Sequence, residues 1–193
     1  MPNDYENFVQ EKRLEAEAVG FEPDTSRYGK LYDFQADIVT WALSRGRAAI
    51  FADCGLGKTP MQLKWAEQVS AETGAPVLIV APLAVSEQTV REGEKFSVPV
   101  TLCESQKDVS SGVNITNYEK LHHFDRAALG GIVLDESSIL KSYDGKTKQA
   151  IVDFAQPIEY RLACTATPAP NDYTELLTHS EFLDIMGASN NLV

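Results

Sequence analysis

Basic side chains are scarce in this 193-residue sequence: 17 Lys and Arg stand against 28 Asp and Glu, a formal net charge of −11. Such a surface does not coat nucleic acid by bulk charge, so any contact with a phosphate backbone has to use a local basic patch. Cysteine is also sparse. Cys54, Cys103 and Cys164 are odd in number, far apart and without a CxxC or a Cys/His pair at ligand spacing, so neither a disulfide framework nor a zinc site is implied. No run approaches the ~18 apolar residues of a membrane span. Met1-Pro2-Asn3-Asp4 opens neither a basic nor an apolar leader segment. A reducing cytoplasm is the expected setting, with no membrane involvement. Ser/Gly/Pro-rich linkers and internal repeats are missing too, so a single domain is expected.

What is present is enough apolar material for a core: 44% hydrophobic against 23% charged residues. Residues 1–25 carry seven acids, two bases and a thin apolar stripe of Phe8, Val9 and Leu14, which predicts a solvated helix ending near Gly20 and Pro23. We therefore divide the chain into an acidic N-terminal extension, 1–27, and a folded domain, 28–193. From residue 48 onward short apolar runs alternate with helical stretches, the pattern of βαβ units. The expected strands are Ala48–Phe51, Val77–Ala81, Val98–Leu102, Val113–Thr116, Ile132–Leu134 and Tyr160–Cys164. Helices are expected at about 60–72, 84–95, 118–128, 146–155 and 172–185. Strands this short and apolar on both faces belong in a sheet covered by helices. The fold class is α/β, a mostly parallel sheet with helices on both faces.

Ala52-Asp53-Cys54-Gly55-Leu56-Gly57-Lys58-Thr59 follows one such strand and opens a helix, the context of a phosphate-binding loop. Gly55 and Gly57 permit backbone dihedrals that aim successive N–H groups at an anion, and the following helix adds its positive end. Lys58 supplies an ammonium to the β- and γ-phosphates, and Thr59 a hydroxyl ligand for Mg²⁺. Pro60 fits a first turn, where its missing N–H is not needed. The general loop pattern has glycine where this chain has Ala52, a variant found in helicases. Cys54 within the loop reads as a small filler.

Gly131-Ile132-Val133-Leu134-Asp135-Glu136-Ser137-Ser138 is a second apolar strand ending in two carboxylates. In a parallel sheet these emerge on the same edge as the phosphate loop. ATP hydrolysis needs one carboxylate for Mg²⁺ and one to orient and deprotonate the attacking water. Asp135 is assigned to the metal and Glu136 to the water.

The order of these segments resembles the first RecA-like domain of a superfamily 2 helicase or translocase, with Asp135-Glu136-Ser137-Ser138 where DEAD or DEAH boxes sit. Leu31-Tyr32-Asp33-Phe34-Gln35 is similar to that group's glutamine segment, which implies that Gln35 reads the adenine edge. Val80-Ala81-Pro82-Leu83 resembles motif Ia, and Asn114-Ile115-Thr116-Asn117-Tyr118-Glu119 the Ib region, both on the nucleic-acid side. Cys164-Thr165-Ala166-Thr167-Pro168 resembles motif III, which implies that Thr165 and Thr167 relay nucleotide state. The Tyr-Asp-Phe-Gln start, Ile139-Leu140-Lys141 and the Ala-Thr-Pro-Ala-Pro-Asn run look most like SNF-type ATPases, in particular phage and bacterial ones.

The resemblance implies ATP and Mg²⁺ as cofactors, duplex DNA as the favoured track and the cytoplasm of a bacterium or infected host as the setting. It also implies a second RecA-like domain carrying arginines, which this chain does not contain, so the domain by itself is expected to be weakly active. Ser138 replaces the Asp or His of the commoner boxes, so its bond to the Thr165/Thr167 segment is expected to be a hydroxyl contact. Ser189-Asn190-Asn191-Leu192-Val193 reads as a frayed tail.

Two other readings stay open: a nucleotide-dependent binding module with little turnover of its own, and a restriction-type or packaging P-loop motor. Gln35 also fits a surface helix position. His122 and His123 read as surface or core polar residues, and Trp41 and Trp65 as core anchors. Lys141, Lys146 and Lys148 form either a solvated face or part of a DNA-backbone track.

Overall fold

The computed structural model describes residues 18–138, 145–168 and 175–185. Apolar runs of three to six residues form six strands: β1 (Arg47–Phe51), β2 (Val77–Ala81), β3 (Val100–Leu102), β4 (Val113–Asn117), β5 (Gly131–Asp135) and β6 (Tyr160–Thr165). They lie in one sheet in the order β1-β6-β5-β2-β4-β3, and every pairing is parallel. Five α-helices accompany them: α1 (Asp33–Arg45), α2 (Lys58–Thr73), α3 (Leu83–Lys95), α4 (Gly145–Ala155) and α5 (Glu175–Leu183). The α/β class and the parallel sheet are as the sequence predicts.

The period of two along each strand divides the core into two layers. Val77, Ile79 and Ala81 of β2 join the cluster under α1, α2 and α3, which includes Leu43, Met61 and Trp65. Leu78 and Val80 join the cluster under α4 and α5, which includes Ile151 and Phe182. The chain reaches β2 and β3 through α2 and α3, then returns from β5 to β6 through α4 in the opposite direction. Right-handed crossovers therefore put α4 on the other face. The turn-around leaves β6 between β1 and β5, whose carboxyl ends carry the phosphate loop and the acidic pair.

Arg161 is the largest polar side chain of the interior. It is fully buried on β6 and its guanidinium donates to three carbonyls: Ile158 O at 2.7 Å, Phe182 O at 2.9 Å, and Gln156 O. Burial, with the neighbouring charge of Arg47, pulls its pKa down to about 10, which leaves it charged at neutral pH. The side chain ties the end of α4 and the end of α5 to the sheet.

Several expectations need correction. Residues 118–128 form two 3₁₀ segments, Tyr118–His123 and Arg126–Ala128, rather than one α-helix. The side chains of Asn117 and Asp125 take the N–H groups of Lys120 and Ala127, local bonds that compete with a continuing helix. β3 begins at Val100 rather than Val98. Trp65 is fully buried as an anchor, whereas Trp41 is half exposed. Its helix turns Gln35, Val39, Ala42 and Leu43 inward. The predicted N-terminal helix falls largely on residues 1–17, and Lys141, the Ile139-Leu140-Lys141 run and the tail also lie outside the described residues. Residues 18–24 carry no helix. Among the described residues no helix is long and apolar enough to cross a membrane.

Replacing Arg161 with Met keeps the volume but orphans three buried carbonyls. A loss of roughly 3 kcal/mol in folding stability is expected. Urea unfolding measures it, and a variant as stable as the wild type would show that the clamp carries no weight.

Candidate active site

The phosphate loop leaves β1 at Phe51 and enters α2 at Lys58. Gly55 (φ 84°) and Gly57 (φ 79°) are both left-handed, the conformations that call for glycine at these positions. Gly57 is doubly required, because a Cβ there would lie 2.2 Å from Gln35 Nε2. Asp53 braces the loop by accepting from Cys54 N–H at 2.7 Å. Cys54 and Leu56 are exposed at the loop tip. Lys58 Nζ lies back along the loop, donating to Ala52 O at 2.9 Å and Asp53 O at 3.4 Å. Thr59 and Pro60 fall in the first turn of α2.

Gln35 is a strut between two elements. Its Oε1 accepts from Tyr32 N–H at 3.0 Å, capping α1, and its Nε2 donates to Leu56 O at 3.0 Å in the phosphate loop. At 4% exposure it is not the surface position the sequence also allowed. One Nε2 hydrogen and one Oε1 lone pair are left for a further partner. Tyr32 and Phe34 stack on each other beside it, with ring centroids 6.2 Å apart.

The register sets the distance between the two halves of the site. Phe51 of β1 is level with Thr165 of β6, and Cys164 of β6 with Asp135 of β5. The loop root and the acidic pair thus stand two strand spacings apart on one edge, roughly 10 Å. Asp135 is buried, and Glu136 is half-buried with φ 53°. A left-handed residue with a side chain costs roughly 1 kcal/mol. That turn lets Asp135 and Ser137 point inward while Glu136 faces the cleft side.

Burial pushes the Asp135 carboxyl above the usual carboxylate range, and the Glu136 charge adds to this. The Gln62 amide and the Lys58 ammonium act the other way, holding the charged form. Gln62 is fully buried and neither of its amide atoms makes a hydrogen bond of good geometry, so it lies by Asp135 as a polar neighbour.

Motif III contacts the acidic pair through one hydroxyl. Thr165 Oγ1 donates to Glu136 Oε1 at 3.0 Å and accepts from Thr167 N–H at 3.1 Å. Ala52 N–H donates to Thr165 O at 3.2 Å, so one residue touches both the loop and the Glu136 carboxylate. The sequence assigns the bond to this segment to Ser138. Glu136 makes it instead, and Ser138 donates to the same Glu136 Oε1 at 3.2 Å. Thr167 is exposed and joins only through its backbone. Lys148 donates to Thr178 Oγ1 at 3.0 Å, which removes it from the solvated face where the sequence allowed it, while Lys146 is exposed. Two contributors, Gln62 and His179, lie outside the sequence motifs, and Ser137, within the acidic box, has no role assigned to it by them. Ser137 lies 2.8 Å from His179 Nε2, a pairing of residues 42 apart that no local pattern announces.

Residues 34–190 match the family model described as the SNF2-related domain. The chain belongs to the SNF2-related family. A Xenopus laevis relative, "SWI/SNF-related matrix-associated actin-dependent regulator of chromatin subfamily A-like protein 1", is 30% identical over 168 residues, 80% of this chain and 17% of its own length. Among solved structures, the Sulfolobus solfataricus SWI2/SNF2 ATPase core in complex with dsDNA superposes with a TM-score of 0.67 at 22% identity, covering 88% of this chain and 38% of that one. The UvsW helicase from bacteriophage T4 gives 0.64 at 12%, covering 93% and 66%. Both share the RecA-like fold. The chain therefore spans less than two fifths of the SNF2 relative and of the SNF2 core it matches. The curated relative is a vertebrate protein and the phage helicase is similar in fold only, so the expected nearness to phage and bacterial SNF2 members rests on the motifs alone.

The native state of this SNF2 domain binds the Asp135 proton more tightly than the unfolded chain does, so its ionisation lowers stability as pH rises above about 4. Asp135→Asn is expected to melt a few degrees higher than the wild type at pH 7 in the absence of nucleotide. The difference should shrink toward pH 4. An equal or lower melting temperature at pH 7 would contradict this account of the carboxylate.

Proposed function

We propose that this domain binds ATP and hydrolyses it with Mg²⁺, as the nucleotide-binding half of a SNF-type motor that moves on duplex DNA. The observation that carries the reading is the convergence, on one sheet edge, of the Lys58 loop with Asp135 and Glu136, linked through Thr165. The loop's N–H groups and the N-terminus of α2 hold the phosphates, and Lys58 exchanges its loop carbonyls for phosphate oxygens. Gln35 meets the adenine edge with its spare donor and acceptor. Glu136, oriented by Thr165 and Ser138, takes the proton of the attacking water.

The donor set fits a divalent cation. Thr59 offers a hydroxyl and Asp135 a buried carboxylate whose charge wants a positive partner. Among the described residues no group of three His, Cys, Asp or Glu side chains can hold a metal unaided. Thr59 and Asp135 would hold Mg²⁺ together with phosphate oxygens and water. When bound, the ion neutralises charge on the β- and γ-phosphates.

The DNA track is supported by the Sulfolobus SNF2 core, which is in complex with dsDNA. A cleft of about 480 Å³ on the same sheet edge, lined by Leu83, Glu87, Leu102, Glu104, Asn117 and Lys120, adds no support, because Lys120 pairs with Glu104 at 2.8 Å and the cleft is not a basic patch. Those residues belong to the motif Ia and Ib side. A second reading is a nucleotide-dependent binding module with little turnover of its own. In motors of this kind arginines from a second motor domain contribute roughly 10³–10⁵ in rate.

Calorimetric titration with ATP and Mg²⁺ tests the site: Lys58→Ala should lose roughly 10–100-fold in affinity, the worth of one or two charge-assisted bonds. Unchanged affinity would refute the assignment. Glu136→Gln should bind as the wild type does and hydrolyse roughly 10²–10⁴-fold more slowly in single-turnover assays. Stimulation of the wild-type rate by duplex DNA would eliminate the module reading.

A further inference from the structure

α5 follows the motif III strand and is anchored at its C-terminal end and near its middle. At its C-terminal end Phe182 O accepts from Arg161, and Asp184, just beyond the helix, pairs with Arg47 at 2.9 Å. Nearer its middle Lys148 holds Thr178, and His179 reaches the nucleotide site. The His179 ring is 5% exposed. It packs edge-on against Phe51, with centroids 5.4 Å apart and planes at 82°, and Phe51 is the last residue before the phosphate loop. Its Nε2 lies 2.8 Å from the hydroxyl of Ser137, next to Glu136 in the acidic box.

Ser137 Oγ reaches Cys164 O at 3.3 Å and His179 Nε2 at 2.8 Å, where the imidazole tautomer sets which atom donates. One imidazole therefore touches the root of the phosphate loop through its ring edge and the acidic box through a hydrogen bond. A change at either half, Lys58 leaving Ala52 O or Glu136 leaving Thr165, would reach a buried ring that contacts both. Glu136, next to Ser137, sits in a left-handed turn.

We propose that His179 is a positioning residue that couples the nucleotide site to α5, so that the helix senses whether a triphosphate is present. The proposal rests on the ATP reading above. It differs from the motif III relay, which runs through Thr165 to Glu136; this path runs through Ser137 to a helix.

Hydrogen–deuterium exchange of the full chain with and without AMP-PNP and Mg²⁺ tests it. In the wild type, exchange should slow at least about threefold both at the start of α2 and in α5. In His179→Leu the α2 response should persist, with nucleotide affinity altered by no more than about threefold, the reciprocal of the lost coupling, while the α5 response is lost. His179→Gln, whose carboxamide can donate to or accept from the Ser137 hydroxyl, should respond as the wild type does. Ser137→Ala removes the shared hydroxyl from the other side and should reproduce the Leu variant, so the test holds even where His179→Leu fails to fold. An α5 response in Ser137→Ala or His179→Leu equal to that of the wild type overturns the coupling and leaves the nucleotide site standing. A wild type in which α2 responds and α5 does not has the same meaning. A wild type in which neither responds overturns both.

Discussion

All six strands run in one direction, and the parallel register of β1, β6 and β5 is the constraint from which the site follows. It brings the phosphate loop, the motif III hydroxyl and the two carboxylates to one edge within about two strand spacings. An antiparallel partner anywhere in this trio would send Asp135 or Thr165 to the far edge. The apolar character of the strands enforces the arrangement, because most are buried on both faces and helix-covered parallel sheets supply that environment.

Stability and chemistry pull against each other along this edge. Burial raises the Asp135 pKa, Gln62 has no good hydrogen bond, and Glu136 sits in a left-handed turn. Each is unfavourable for an isolated fold. Together they fall on the one edge where the proposed nucleotide site lies, the kind of place where local rules are expected to be broken. Arg161 and the two-layer core, at the other end of the strands, hold the structure that tolerates this strain.

Much of this is legible from sequence. The six strands can be placed within one or two residues because their apolar runs are bounded by polar turns, and the phosphate loop because glycine, lysine and threonine fall between a strand and a helix. Asp135 and Glu136 follow from the rule that strand ends share an edge. Other features leave no local mark. The 118–128 stretch has helical spacing, but Asn117 and Asp125 take its backbone donors. Trp41 has a core residue's identity on a helix whose buried stripe passes it by. His179 and Ser137 meet only because β6 and α5 fold back over the acidic box. Glu136, not Ser138, bonds Thr165, since the left-handed turn redirects the box.

A crystal structure of the chain with AMP-PNP and Mg²⁺ examines the shared edge most directly. The expected result is a γ-phosphate between Lys58 Nζ and the Glu136 carboxylate, with Lys58 released from Ala52 O and one cation bound by Thr59, Asp135 and phosphate oxygens. A nucleotide bound elsewhere, or one bound at the loop with Lys58 still on Ala52 O and Asp135 away from the cation, would contradict it.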